Sequence, residues 1–290
     1  MYFLIGMMYM KKTICICLAA LLLLLSGCTA AQAPADIAAT TLPVYQFTQA
    51  LCQGTDLQVA RLITESVSCL HDYSLQVSQM RAVESAKAVV ISGAGLEGFL
   101  DDALNGAQTI IDASSGLSLL PGEEDGFDPH IWLSPANAEV MAQNICEGLC
   151  ERFPQYADTF RANLPALLSQ LGAVQEYGET QLSGLSCREL ITFHDGFSYF
   201  ADAFGLEILE AVEEESGSEA SAADLIHLIT LVEKNRLPAI FTEANGSTSA
   251  AQIISAETGA AVFTLDMAMA GDDYFTAMYH NIDTIREALQ

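Results

Sequence analysis

The sequence predicts an α/β fold made of two α/β lobes joined by one long helix. Short apolar, strand-like runs alternate with amphipathic helical stretches, which is typical of parallel sheets. A helical stretch of roughly 30 residues, far longer than a typical globular helix, interrupts this alternation. Hydrophobic residues make up 51% of the 290 positions and charged residues 17%, a composition that excludes intrinsic disorder and allows one to two domains.

The first lobe is predicted at residues 37–153. Its last helix begins at Ser134, which suits the N-cap, with Pro135 at the first helical position, and it ends near Phe153. The preceding elements, in chain order, are strand-like 37–42, helical 45–51, strand-like 59–67, helical 78–86, strand-like 88–92, the stretch 96–104 and strand-like 107–112.

Residues 154–185 form the predicted linking helix. Pro165 lies inside it and lacks a backbone N–H donor. The sequence therefore allows two alternatives, a kink in the helix at Pro165 or a boundary between two helices there. The second lobe is predicted at residues 186–290, where the alternation resumes. Its elements are strands 189–193, 206–212, 239–242 and 261–265 and helices 199–204, 222–235, 249–258 and 274–289.

The N-terminus has the features of a bacterial export signal. Lys11 and Lys12 precede an apolar run at 14–25 that is too short to span a bilayer but suits the core of a signal peptide. The sequence LSGC at 25–28 resembles a lipobox, whose cysteine carries lipid; the alternative is an ordinary cleavage site. We therefore expect a lipoprotein-type signal peptide at 1–27 with Met10 as the initiator, and a tether at 28–36 that Cys28 anchors to the extracytoplasmic face of the bacterial cell membrane.

The chain is strongly acidic. It has 11 Lys and Arg residues against 37 Asp and Glu residues, a formal net charge of −26. A surface this negative repels phosphate backbones, so we expect no nucleic-acid partner. We expect the protein to be a monomer.

Five cysteines remain when the signal peptide and Cys28 are set aside: Cys52, Cys69, Cys146, Cys150 and Cys187. An odd number in an oxidising compartment predicts at least one free thiol. Cys52 and Cys69 are a plausible disulfide, whereas Cys146 and Cys150 lie four residues apart on one predicted helix face. The pairing stays open.

Three of the five histidines share a sequence context. His71 in CLHDY follows a strand-like run, His194 follows the strand ELITF, and His130 lies in FDPHIWLSP; Asp266 ends the strand-like VFTL in the same way. Because ligands in open α/β sheets bind beyond the carboxyl ends of strands, these four residues are expected to converge in a cleft between the lobes. Three imidazoles and one carboxylate suit Zn²⁺.

The motifs that carry these residues resemble those of a known family. HDY at 71–73, DPHIWLSPANA at 128–138 and FHDGFSYFADAFGL at 193–206 are similar to motifs of the zinc/manganese solute-binding lipoproteins of bacterial ABC transporters, the cluster A-I group. GAGLE at 93–97, FTE at 241–243 and TLD at 264–266 agree as well, so the resemblance covers 37–290.

The resemblance implies two Rossmann-like lobes joined by a long rigid helix, with the metal site in the cleft between the lobes. The matching ligands are His71, His130, His194 and Asp266. The implied function is extracytoplasmic capture of a divalent transition metal and its delivery to a membrane ABC permease, without enzymatic activity.

Zinc is the expected ion, and manganese is the alternative. His194 stands where manganese-specific members tend to have Glu, and nitrogen-rich sites favour zinc over manganese. The sequence before DPH is the short acidic Glu123-Glu124-Asp125, whereas many zinc-specific members have a His-rich loop there.

Four carboxylates are candidates for orienting the imidazoles from a second shell, since a ligating histidine usually donates its other N–H to an oxygen. They are Asp72, Asp128, Asp195 and Glu243. The remaining histidines, His227 and His280, are interpreted as ordinary polar residues. Two other functions stay open: a zinc-dependent hydrolase, in which water fills a fourth zinc position, and a surface adhesin.

Overall fold

Each lobe contains a four-stranded parallel sheet. The computed structural model describes residues 35–65, 70, 73–101, 103–104, 109–122, 126–212, 221–244 and 248–290, and every structural statement below refers to these residues. The signal peptide, Cys28 and most of the tether therefore lie outside the described residues. No described helix combines the length and the hydropathy of a transmembrane span.

The sheet of the N-terminal lobe has the strand order β2-β1-β3-β4. Its strands are β1 (Ile37–Ala39), β2 (Val59–Arg61), β3 (Ala88–Ile91) and β4 (Thr109–Asp112). The lobe also contains helices α1 (Leu42–Leu51), α2 (Val77–Ser85) and α3 (Pro135–Arg152), with short 3₁₀ turns at Gly98–Leu100 and Ile131–Leu133.

The sheet of the C-terminal lobe has the equivalent order β6-β5-β7-β8. Its strands are β5 (Glu189–Thr192), β6 (Glu207–Ala211), β7 (Ala239–Glu243) and β8 (Ala261–Leu265). Its helices are α5 (Ser198–Phe204), α6 (Ala222–Asn235), α7 (Ser249–Thr258) and α8 (Tyr274–Leu289).

Helix α4 (Ala157–Leu182) connects the two lobes. Its 26 residues span about 39 Å at 1.5 Å per residue. It packs against α1 and α3 of the N-terminal lobe and against α5 and α8 of the C-terminal lobe. The predicted class, two parallel α/β lobes with a long connecting helix, is confirmed.

The linking helix differs from its prediction at its start. Phe153 precedes Pro154, a position that disfavours helical backbone, and accordingly α3 ends at Arg152. Pro154–Tyr156 then forms a 3₁₀ turn before α4 begins at Ala157. Pro165 lies inside α4, and therefore no boundary falls there.

Two early strands are shorter than predicted. Strand β1 ends at Ala39 because α1 begins already at Leu42, with Pro43 in its first turn. Strand β2 ends at Arg61, although the next two backbone amides still donate to carbonyls at the end of β1 and just beyond it, Leu62 to Ala39 at 2.8 Å and Ile63 to Thr40 at 2.9 Å.

The hydrophobic core runs through both lobes. Its main part includes the buried side of α4, with Phe160, Leu171 and Val174, and continues into α3 and α8. A second cluster in the C-terminal lobe packs α6 and α7 on the sheet; it includes Phe193 and Ile240. Among the described cysteines, Cys52, Cys146 and Cys150 are buried free thiols and Cys187 is a half-buried one, while Cys69 lies outside the described residues.

Candidate metal centre

The candidate site lies where strands of the C-terminal lobe end and a loop of the N-terminal lobe approaches them. Asp266 follows β8 directly, and His194 lies two residues after β5. His130 comes from the N-terminal lobe, immediately before the 3₁₀ turn that leads into α3. Ser134 caps α3 by accepting a hydrogen bond from the Asn137 amide at 3.4 Å, which fixes where this loop ends.

Asp128 orients the imidazole of His130. Its Oδ1 accepts hydrogen bonds from the backbone amide of His130 at 2.9 Å and from Nδ1 of the same residue at 2.8 Å. Because Nδ1 carries the proton in this bond, the Nε2 lone pair is left for a cation. Both side chains are buried.

His194 faces His130 across the boundary between the lobes. The two Nε2 atoms are 3.4 Å apart, and the rings are nearly perpendicular at 84°. Two nitrogens bound to one tetrahedral zinc at 2.0–2.1 Å would be about 3.3–3.4 Å apart. His194 is buried, and its Nδ1 lies 3.9 Å from Oε2 of the buried Glu243.

Gly196 makes this close approach possible. A Cβ atom at position 196 would lie 2.7 Å from Cδ2 of His194, 3.1 Å from Cε1 of His130 and 2.6 Å from Cε of Met267. An added methyl group would therefore require shifts of the His194 ring and of the Met267 side chain, and a smaller shift of the His130 ring.

Aromatic side chains connect the lobes around the imidazole pair. The Tyr199 hydroxyl donates to the backbone carbonyl of Asp128 at 3.0 Å and accepts from the Leu120 amide at 2.9 Å. Trp132 Nε1 donates to the carbonyl of Met267 at 2.7 Å, and the Tyr274 hydroxyl donates to the Trp132 carbonyl at 2.8 Å.

Burial raises the pKa of both phenols, Tyr199 and Tyr274, above the ordinary tyrosine value. Both hydroxyls therefore stay protonated, and can donate these bonds, at neutral pH.

The side chain of Asp266 is held by a hydrogen bond within its own lobe. Its Oδ1 accepts a 2.7 Å hydrogen bond from the Ala268 amide. Within the described ranges, no group of three or more His, Cys, Asp or Glu residues is arranged to hold a metal ion. The structure thus brings His130 and His194 together but does not bring Asp266 into one coordination sphere with them.

The other predicted site residues are placed as follows. His71 and Asp72 lie outside the described residues. Asp195 follows His194 and is half-buried. His227 is exposed on α6, with Nε2 3.5 Å from Oε2 of Glu210, and His280 is exposed on α8.

Another buried carboxyl, away from the imidazole pair, lies at the carboxyl ends of β1 and β3. Glu97, from the GAGLE segment, accepts from Oγ1 of Thr40 and the Ser92 amide, both at 2.7 Å, and from the Gly93 amide at 3.0 Å. Burial raises the pKa of Glu97 to about 7, although these hydrogen bonds oppose the shift. Glu97 thereby ties the two strand ends together.

Gly196 and Asn281 are not among the site residues predicted from the sequence. Asn281 is fully buried in α8 and bonds the backbone of Asp266. A polar residue four positions from both Ala277 and Ile285, on the buried side of an amphipathic helix, is a signal that could have identified Asn281.

A family model and curated relatives match this sequence. The model of the family described as ZnuA, zinc-uptake complex component A, periplasmic, matches residues 37–288. The zinc-binding lipoprotein AdcA of Streptococcus pneumoniae is 28% identical over 278 residues, which cover 87% of this chain and 55% of AdcA. This chain therefore spans about half the length of its AdcA relatives.

Solved structures give the same relationship. A crystal structure of ZnuA has a TM-score of 0.78 at 30% identity and covers 88% of this chain and 99% of its own. The Zn(II)-bound ZnuA-like domain of Streptococcus pneumoniae AdcA has a TM-score of 0.76 at 28% identity, and the match covers 88% of this chain and 98% of that domain. The periplasmic zinc-binding protein TroA of Treponema pallidum has a TM-score of 0.78 at 25% identity, and the match covers 87% of this chain and 98% of TroA.

Because the family model matches nearly the whole chain that follows the predicted tether, this protein belongs to the ZnuA family of periplasmic zinc-uptake components.

Proposed function

We propose that this protein captures one Zn²⁺ ion outside the cytoplasm and delivers it to a membrane ABC permease. The observation that carries the proposal is the 3.4 Å separation of the Nε2 atoms of His130 and His194. That distance suits two ligands of one tetrahedral zinc, and the two residues belong to different lobes. An ion bound there links the lobes.

His71 and Asp266 complete the proposed ligand set. Three neutral imidazoles and one carboxylate fill four positions and offset one of the two positive charges of the ion. The proposed outer partners of the imidazoles are Asp128, for which the 2.8 Å contact with His130 is direct support, and Asp72, Asp195 and Glu243.

Zinc is favoured over manganese by the donor atoms. Imidazole nitrogen binds zinc well, whereas manganese prefers carboxylate, carbonyl and water oxygens. The name of the pneumococcal relative, a zinc-binding lipoprotein, supports the same ion. Membership of a zinc-uptake family favours a binding protein over a zinc hydrolase.

We propose that Cys28 carries the lipid and that the chain acts as a monomer on the extracytoplasmic face of the membrane. The support for the lipid anchor is the sequence LSGC at 25–28, directly after the apolar run. Delivery would require the permease to separate ligands that belong to different lobes.

Metal content tests the proposal. The wild-type protein, purified from metal-replete cells and analysed by mass spectrometry, should contain one zinc per chain and keep it in competition with excess manganese. His130→Ala should lose this stoichiometric zinc while its circular dichroism spectrum is unchanged. His227→Ala removes an exposed histidine on α6 and should retain it.

Two results would count against this function. One is a His130→Ala variant that still holds one tightly bound zinc. The other is zinc-dependent turnover of generic esters, phosphates or amides by the wild type, which would favour the hydrolase.

A further inference from the structure

Asn281 uses its side-chain amide to hold the backbone of Asp266. Its Oδ1 accepts from the Asp266 amide at 2.8 Å, and its Nδ2 donates to the Asp266 carbonyl at 2.7 Å. Asn281 is fully buried in the middle of α8. The two residues are 15 positions apart, and therefore the contact depends on how α8 packs beside β8.

The contact replaces a missing strand partner. Strand β8 ends at Leu265, and the backbone of Asp266 leaves the sheet there. A buried amide or carbonyl without a partner is costly, and an asparagine side chain offers the same donor and acceptor pair as a peptide group. Asn281 therefore fixes both polar groups of the Asp266 backbone, and with them the direction in which the side chain leaves the backbone.

The carboxylate of Asp266 is restricted further by the turn that follows. Its Oδ1 accepts from the Ala268 amide at 2.7 Å, and Ala268 has a left-handed φ of 52°. A non-glycine residue adopts this conformation at a cost, so the surrounding contacts must hold the turn in place. One contact is made by the N-terminal lobe, where Trp132 Nε1 donates to the carbonyl of Met267 at 2.7 Å.

Asp266 thus lies between an anchor in its own lobe and a contact with the opposite lobe. Asn281, which bonds the Asp266 backbone, belongs to the C-terminal lobe. Trp132, which bonds the carbonyl of the next residue, belongs to the N-terminal lobe and lies two positions after His130. Without the Asn281 contact, the placement of the Asp266 backbone would depend on the turn alone.

We propose that Asn281 is a positioning residue for zinc binding, which fixes the backbone of Asp266 so that its carboxylate joins the imidazole pair when zinc binds. The proposal rests on the proposed function, in which Asp266 is a zinc ligand. Residues that orient ligands in this way typically contribute about 10–100-fold to metal affinity.

A double-mutant cycle tests this role. Zinc affinity is measured by competition with a chromogenic chelator for the wild type, Asn281→Leu, Asp266→Ala and the double variant, and urea unfolding is recorded for each. Asn281→Leu should weaken zinc binding by about 10–100-fold. In the Asp266→Ala background the same substitution should change the affinity by less than about twofold, because no carboxylate remains to be positioned.

Asn163→Leu is the matched control. Asn163 also uses its side-chain amide to bond backbone groups, the carbonyls of Leu51 at 2.8 Å and Gln53 at 2.9 Å, at the far end of α1. It should lose stability while its zinc affinity stays at the wild-type value. If Asn281→Leu does not fold, Asn281→Ser, which is small and polar, should give the same pattern of zinc affinities.

Unchanged zinc affinity in a folded Asn281 variant would overturn the proposal, as would an equal loss of affinity with and without Asp266. A wild-type protein that binds no zinc would instead refute the proposed function itself.

Discussion

Arg61 of the N-terminal lobe donates a hydrogen bond from Nη1 to the carbonyl of Gly271 in the C-terminal lobe, at 2.6 Å. The same guanidinium donates from Nε to the carbonyl of Ile63 at 2.5 Å. Arg61 therefore joins the segment that directly follows β2 to the segment that follows Asp266. The Leu42 amide, which donates to the Met269 carbonyl at 3.0 Å, holds the same segment.

Arg61→Ala should loosen the connection between the lobes near the metal site. Hydrogen bonds from charged groups contribute about 1.5–3 kcal/mol, and Arg61 is half-buried, so we expect a loss of about 1–2 kcal/mol in the free energy of unfolding. Zinc should dissociate several-fold faster, as measured by stopped-flow transfer to a chelator. Arg81→Ala removes an exposed arginine on α2 and is the control. Equal dissociation rates in the two variants would contradict a role of the Arg61–Gly271 contact in retaining zinc.

Gly196→Ala should weaken zinc binding through steric displacement of the imidazoles. The added methyl group would lie 2.7 Å from Cδ2 of His194 and 3.1 Å from Cε1 of His130. Relieving such overlaps typically costs about 1–3 kcal/mol, and we expect a loss of zinc affinity of about tenfold or more.

The control for this prediction is Gly184→Ala, where no atom lies within 4 Å of the added Cβ. Competition titrations with a chelator measure both variants. Wild-type affinity in Gly196→Ala would show that the ring positions adjust without cost.

Asp128→Asn should weaken zinc binding while the loop geometry is retained. The asparagine oxygen can still accept from the backbone amide and Nδ1 of His130, but the negative charge that makes the imidazole a better donor to the metal is lost. We expect a decrease in affinity of about 10–100-fold. Asp158→Asn, which removes a fully exposed carboxylate, should leave the affinity unchanged. A comparable decrease in both variants would point to overall charge instead.

Glu97 should make the stability of the fold depend on pH. Its pKa is raised from the ordinary value of about 4.5 to about 7 in the folded protein, so between these values the folded chain binds more protons than the unfolded chain. The stabilisation that protonated Glu97 gives to the folded state is complete below about pH 4.5 and is lost as pH rises through about 7.

Glu97→Gln removes this titration. The free energy of unfolding of the variant relative to wild type should increase between pH 4.5 and pH 8 by an amount on the order of 3 kcal/mol. Urea unfolding at several pH values measures the difference. Glu84→Gln, an exposed substitution on α2, should follow the wild-type curve. A Glu97→Gln curve parallel to wild type would mean that Glu97 does not titrate in this range.

Local pattern was enough to predict most of the fold. Ser134 and Pro135 marked the start of α3, and the alternation of apolar runs with amphipathic stretches predicted two parallel α/β lobes, because these features depend on residues close together in the chain. Some boundaries shifted next to prolines. Pro43 lies in the first turn of α1, which begins at Leu42 and shortens the predicted strand, and Pro154 opens a 3₁₀ turn, so the helix predicted from 154 begins at Ala157.

The sequence alone determined which residues are candidates for the metal site, because histidine is scarce and each candidate follows a strand or lies in a distinctive motif. Which of these candidates meet depends on how the two lobes pack against each other. The tertiary structure brings Nε2 of His130 to Nε2 of His194, assigns Asp128 to orient His130, and buries Asn281 against the backbone of Asp266. Residues such as Gly196 and Asn281 act through space, across lobes or across 15 positions of chain, and no local periodicity records that kind of contact.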